Sequence, residues 1–212
     1  MKSFYLNSLF LLISINVYSQ KMERIKLNQP DTTRGIPVMK ALSQRASASS
    51  FDTLELSHKD ISDLLWAGNG INRPETGKRT AASSYNSQDI DIYVFQQSGV
   101  FLYNPKEKSL DPVISGDHRM LIASSQAFVN DSKQIFLLVS DISRFKEGEK
   151  EEKMKWAAID AGLVAQNIMI FCASEGLHAR PRVYMETEKI RQILNFNENQ
   201  QPILNIPVSY KK

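Results

Sequence analysis

One cysteine, Cys172, is all the thiol that this chain of 212 residues carries. That scarcity excludes an internal disulfide and any multi-cysteine metal site. Its place in a mostly apolar stretch reads as a small buried filler rather than a nucleophile. Histidine is nearly as sparse: His58, His118 and His178 lie far apart, without metal-ligand spacing. A charge excess is missing too, since 26 basic residues against 23 acidic give only +3, too little to imply nucleic acid. No P-loop, Rossmann fingerprint, catalytic triad, zinc motif or internal repeat is present. The length suits one domain with a real core.

What is there begins with an apolar segment of a different kind from the rest. Lys2 gives a short positive start, Phe4 to Val17 is largely apolar, and Val17-Tyr18-Ser19 offers a cleavage site before Gln20. This layout predicts a secretory signal peptide over residues 1–19 and an exported, periplasmic protein. With no cysteine after the apolar run, neither a lipid anchor nor stable membrane insertion is expected once the signal is removed. Residues 20–36 are polar, with Pro30 and D-T-T-R, and predict an exposed lead-in to a domain over 37–212.

The stretch around which that domain is organised runs from Trp156 to Leu177. Its residues favour helix, and Trp156, Ile159, Leu163, Val164, Ile168 and Phe171 place apolar groups on every face, which predicts a fully buried helix. Asp160, Gln166, Asn167 and Glu175 argue against a membrane span, and Gly176 suits a helix C-terminus. Gly162 costs up to about 1 kcal/mol inside a helix, so close packing is expected there. Before it, Pro37 to Leu42 and Ser57 to Gly68 or Gly70 have helical spacing, the second opened by Ser57 with Asp60 three residues on. Asp89 to Gln96, Val100 to Tyr103 and Leu110 to Val113 predict a three-strand meander. A short helix follows over His118 to Ser125, and Gln134 to Ser140 reads as a central strand. The charged tract Lys146 to Lys155 predicts a solvated loop and the first helical turns. A helix over Glu186 to Leu194 and a strand over Pro202 to Tyr210 complete an α+β domain with a largely antiparallel sheet flanked by helices.

Two polar segments flank helices: R-A-S-A-S-S-F at Arg45 to Phe51 and A-A-S-S-Y-N-S-Q at Ala81 to Gln88. Arg45 offers a fork of donors to a phosphate, with the hydroxyls of Ser47 and Ser49 following. Taken with L-L-W-A-G-N-G-I, I-D-A-G-L-V-A-Q-N-I, E-G-L-H-A-R-P and I-P-V-S-Y-K-K, in that order, these motifs resemble the FMN-dependent nitroreductase family. The L-L-W-A stretch resembles its branch of azoline-oxidising flavoproteins. The similarity covers about Pro37 to Lys212.

The resemblance implies a nitroreductase-like fold and a homodimer with FMN at the interface, bound by residues of both chains. It assigns Arg45, Ala46, Ser47 and Ser49 to the phosphate and ribityl chain, although the family has a basic residue where Ser49 stands. Ser83 and Ser84 are implied along the flavin ring, with Asn86 supporting their loop and Ala82 where the family has proline. The turn from Arg180 to Arg182, with Pro181 between them, is implied against the ring near N5, and Lys211 at the phosphate, Ser209 replacing a glycine. Asp160 is expected to be a structural hydrogen-bonding group rather than a catalytic acid. The function implied is a flavin oxidoreductase with a small organic donor and a quinone, nitroaromatic or other organic acceptor. The competing reading is a non-catalytic exported binding protein that keeps the fold and holds flavin weakly.

Overall fold

A computed structural model describes residues 22–211 of the chain. The signal-peptide expectation, over residues 1–19, lies outside them. In chain order the elements are β1 (Ile25–Lys26), α1 (Val38–Gln44), α2 (His58–Asn69), β2 (Ile71–Arg73), β3 (Lys78–Arg79), β4 (Ile90–Gln96), β5 (Gly99–Asn104) and β6 (Ser109–Ser115). Then come α3 (Arg119–Ala123), β7 (Gln134–Asp141), α4 (Lys150–Ser174), β8 (Leu177–Ala179), α5 (Thr187–Ile193) and β9 (Gln200–Tyr210). Seven strands form one sheet in the order β1-β6-β5-β4-β7-β9-β8, every pairing antiparallel, and β2 and β3 form a small hairpin beside it. The chain is therefore α+β with a large antiparallel sheet, as its sequence pattern predicts.

β7 reads as a continuous apolar run because the sheet is covered on both faces. Phe136 and Leu138 pack into one cluster with Ile92 and Val94 of β4, under α2 and α4. Ile135, Leu137 and Val139 point the other way, joining Tyr93, Phe95, Ile122 and Ile190 beneath α3 and α5. The two-residue period of a strand sends neighbours to opposite faces, and here both are dry.

α4 is long and apolar enough to cross a bilayer, yet half of its most apolar window is buried within the fold. Its buried residues (Ala157, Asp160, Ala161, Val164, Ala165, Ile168, Met169, Cys172) recur at helical spacing and form one stripe. Ile159 and Leu163 are exposed at 58% and 42%, so the fully buried helix expected from the sequence is only partly buried. The charged tract before it supplies its first turns, with a capping box between Glu149 and Glu152. Gly176 follows its end at φ 70°, where residues with a Cβ are strained.

Close packing on α4 occurs at Gly68 rather than Gly162. A Cβ on Gly68 would meet Ile168 Cγ1 at 2.9 Å, which is why α2 needs a glycine there. A Cβ on Gly162 would meet nothing within 4 Å among the described residues. α2 itself starts as expected, with Asp60 N–H donating to Ser57 Oγ at 3.1 Å.

The lead-in is more firmly held than its polar composition suggests. β1 pairs with β6, and Leu27 is buried. Arg34 forms ion pairs with Asp60 and Asp63 of α2, both at 2.7 Å, and with Glu175 after α4. Asp31 accepts from Thr33 and pairs with Lys59, and these contacts hold its carboxyl well below the usual carboxylate range. Polar residues here serve as anchors to charges on two helices, a role that a composition shift does not reveal.

Candidate functional site

α1 ends at Arg45, whose extended backbone turns the chain toward the sheet edge while its N–H closes the helix on Ala41 O. The following segment is laid against β8 and the end of β9. Ala48 N–H donates to Ala179 O at 3.0 Å, Arg180 Nη1 donates to Ala48 O at 3.2 Å, and His178 Nδ1 lies 3.2 Å from Ser50 O. Asp52 N–H donates to Ser209 Oγ at 2.9 Å. Ser209, where the resemblance leads one to expect glycine, is thus a buried anchor for this segment.

A cavity of about 260 Å³ lies between the segment, α4 and β8. Ala46, Ser47, Ser49 and Lys211 line it together with Met169, Cys172 and His178. A second cavity, about 570 Å³, shares Met169 with it and is lined by Gly162, Ala165 and Gln166 of α4, the turn from Arg180 to Tyr184, Gln126 and Leu204. Neither lining contains a carboxylate. Gly162 thus helps leave this second space open, and the close packing expected at it is absent among the described residues.

Each residue singled out in the sequence can now be placed. Ala46, Ser47, Ser49 and Lys211 come together in the first cavity, and Pro181 and Arg182 in the second. Arg45 lies between Gln44 and Ala46, which line the first cavity, without lining it itself. Its guanidinium has no hydrogen bond or ion pair among the described residues. Arg182 is buried, and its guanidinium is held by Gln126 Oε1 (2.8 Å), Asn205 Oδ1 (2.7 Å) and Ile122 O (3.3 Å). Burial and the nearby Arg180 push its basicity down. Its backbone N–H donates to Asn205 O at 2.8 Å, so the turn's donor to a ligand is not Arg182's.

Ser83, Ser84 and Asn86 line neither cavity. Their segment is fixed from beneath by α4. Ser84 N–H donates to Asp160 Oδ2 at 2.8 Å, and Ser84 Oγ donates to Oδ1 at 3.0 Å. Asp160 is 1% exposed and is the structural hydrogen-bonding group expected of it. Behind it Asp89, fully buried, accepts from Ser140 Oγ at 2.5 Å and Ser87 Oγ at 3.0 Å. Burial, with the Asp160 carboxyl alongside, pushes Asp89 up to about 7 against the pull of its hydroxyl partners.

Met169 and His178 line these cavities without having been singled out in the sequence, whereas Arg180 belongs to the turn that was. His178 belongs to the E-G-L-H-A-R-P stretch, so its neighbourhood was legible; Met169 looks like any core methionine. Cys172 is buried at the cavity wall, and burial pushes its thiol up, which suits a filler rather than a nucleophile.

The model of the Nitroreductase family matches residues 42–210. The chain belongs to the nitroreductase family. A Methanocaldococcus jannaschii protein carrying the nitroreductase name is 24% identical over 198 residues, covering 89% of this chain and 98% of the relative. A crystal structure from Ralstonia eutropha JMP134, also under the nitroreductase name, superposes with a TM-score of 0.82 at 32% identity, over 89% of this chain and 90% of that one. The Escherichia coli microcin synthetase McbBCD complex superposes with a TM-score of 0.71 at 14% identity, over 97% and 85% of the respective chains. That last likeness shows the nitroreductase fold alone, and the azoline-oxidising branch does not follow from it.

Proposed function

We propose that the protein is an FMN-dependent oxidoreductase, working as a homodimer and passing electrons from a donor to a quinone, nitroaromatic or other organic acceptor. The observation that carries this reading is the pair of adjoining cavities, lined by cations and hydroxyls with no carboxylate. Such a lining favours a ligand with a phosphate at one end and an electron-rich body at the other. The donor set fits FMN: Ser47, Ser49 and Lys211, with Arg45 beside them, would hold the phosphate and ribityl chain. Met169, Ala165, Pro181 and Leu204 offer apolar surface to the ring. Bound FMN supplies the electron transfer itself, and the protein positions it and tunes its potential. The buried stripe of α4 and the Arg182 anchorage hold the walls rigid, and no side-chain acid is needed at the reacting atom.

The homodimer reading rests on two features. Val38, Met39 and Leu42 of α1 and Ile159 and Leu163 of α4 leave apolar side chains exposed on two helices packed together. Ser83, Ser84 and Asn86 line neither of these two cavities, and a second copy's flavin would meet them. Leu163→Glu should convert a dimer into a monomer, read by light scattering, with little loss of monomer stability because the side chain is exposed. An unchanged mass would refute this face as the contact.

Residues 1–19 support export, which separates the protein from the cytoplasmic NADH and NADPH. The donor would then be another reductant, or the reaction would run as dehydrogenation of an organic substrate. The decisive experiment is purification: the protein should be yellow, release FMN rather than FAD on denaturation, and reduce a quinone or nitroaromatic once its flavin is reduced. A colourless monomer that gains no flavin absorbance with added FMN would refute the reading and leave the non-catalytic binding protein.

A further inference from the structure

The second cavity is walled by two guanidiniums that the fold leaves without a counter-charge. Arg180 and Arg182 both line it, and no carboxylate does. Neither is ion-paired among the described residues, whereas Arg34, Arg119 and Arg144 each meet an acid. Arg182 is 7% exposed and is held by neutral oxygens of Gln126, Asn205 and Ile122. Its Nη2 is sealed from solvent with no hydrogen-bond partner. A buried cation in that condition is costly, because neutral dipoles replace only part of the hydration it has given up. Burial and the neighbouring Arg180 both count against its charge. An anion brought into the cavity would relieve both.

Arg180 is the half-buried member of the pair. Its Nη1 donates to Ala48 O at 3.2 Å, and its guanidinium lies over the Phe128 ring at 5.6 Å. One amino group and one face of the plane are thereby fixed, which leaves the remaining donors as a preset fork. Around the two cations the wall is apolar: Ala165, Met169, Pro181, Val183 and Leu204. Val183 and Tyr184 are exposed at 71% and 49%, so the cavity has an open rim on this turn. Such a wall recognises an apolar or aromatic body that ends in an anion, and a carboxylate matches a guanidinium in plane and spacing. The first cavity has its own cation, Lys211, among hydroxyls. A cofactor phosphate seated there leaves the pair in the second cavity unanswered.

We propose that Arg180 and Arg182 form an anion subsite in the second cavity, and that the organic substrate of this protein is a carboxylate with an aromatic or apolar body. Arg180 makes the contact. Arg182 acts from behind through its field, which is strong over short distances where water is excluded. The subsite stands on this cavity alone; that its occupant is the electron donor or acceptor rests on the flavin reading above.

Benzoate and benzamide share ring, plane and size and differ in charge, so they separate the anion from the body. With the FMN-loaded, oxidised protein and no reductant present, calorimetry reads binding without turnover. Benzoate should bind about tenfold more tightly than benzamide, the effect of one charge-assisted hydrogen bond. Arg180→Gln should erase most of that preference, although its amide can still donate to Ala48 O. Arg180→Lys should retain part of it. Val183→Glu sets a carboxylate at an exposed position of the same turn. It should lower the preference with both arginines in place, whatever Arg180→Gln does to the fold. Equal affinities for the two compounds in the wild type would overturn the proposal, since the pair would then serve the cofactor or the fold. A preference undiminished in both Arg180→Gln and Val183→Glu would overturn it too. Should the protein take up no FMN, the same titrations on the flavin-free chain decide. A preference for benzoate that Arg180→Gln erases then keeps the subsite and removes the flavin reading.

Discussion

Arg45→Ala should weaken FMN binding by roughly ten- to a hundredfold, the loss of one charge-assisted hydrogen bond of about 1.5–3 kcal/mol. The structure supplies the reason that the loss falls on the ligand rather than the fold. Arg45 closes α1 through its backbone N–H, which alanine retains. Its guanidinium is engaged with nothing among the described residues, although Arg24, Arg34, Arg119 and Arg144 each meet a carboxylate. An arginine held beside a cavity of hydroxyls without a partner is available to an anion. Arg45→Lys should recover only part of the affinity, because an ammonium keeps the charge but not the two-pronged geometry. Riboflavin, without a phosphate, should bind wild type and Arg45→Ala alike. Equal FMN dissociation constants for the two proteins would make Arg45 a surface residue and remove the phosphate assignment.

How far the sequence could be read depended on whether a residue's partner was near it in the chain. β4, β5 and β6 were legible because a meander joins neighbours through short turns, and β7 because a doubly buried strand is apolar throughout. The first cavity was legible through Ser47, Ser49 and Lys211, which sit in motifs. α4 misled for a physical reason: Ile159 and Leu163 look like core residues, and only the fold shows that they face outward. Gly162 misled similarly, since a glycine that opens a cavity and one that admits a neighbouring helix are alike in sequence. The anchorage of the lead-in gave no signal because Arg34 finds its acids on α2 and after α4, remote in the chain. Asp89 gave no signal at all. Its setting comes from burial and from the Ser140 hydroxyl of β7, a neighbour remote in sequence that only the folded sheet supplies.

Arg34→Met should cost about 3 kcal/mol of stability at neutral pH, the order found when one partner of a buried ion pair is removed. Asp60, Asp63 and Glu175 converge on that one guanidinium, with side chains 13%, 3% and 12% exposed. Methionine would keep much of the packing on Phe171, over which Arg34 lies at 5.4 Å, so the measurement isolates charge. Lys59 remains on Asp63 at 3.1 Å, which limits the loss. The pH dependence follows from Asp60. Burial pulls its carboxyl up, but bonds from Ser57, Arg34 and Tyr210 outweigh that and hold it below its ordinary value. A depressed carboxyl contributes stability that is present above its unfolded value, about 3.9, and is lost as pH falls through the folded one. In Arg34→Met, Asp60 keeps its burial but loses this cation, so its carboxyl contributes less stability above about pH 4. The difference between the two proteins should therefore be largest at neutrality and shrink toward about pH 3. α1 follows Arg34 by way of Gly35 to Pro37 and ends at Arg45, so a loosened anchor should also weaken FMN binding. Urea unfolding at both pH values decides it: a loss that is small at neutral pH, or that does not change with pH, would mean that the lead-in is held by β1 and Leu27 and not by this cluster of charge.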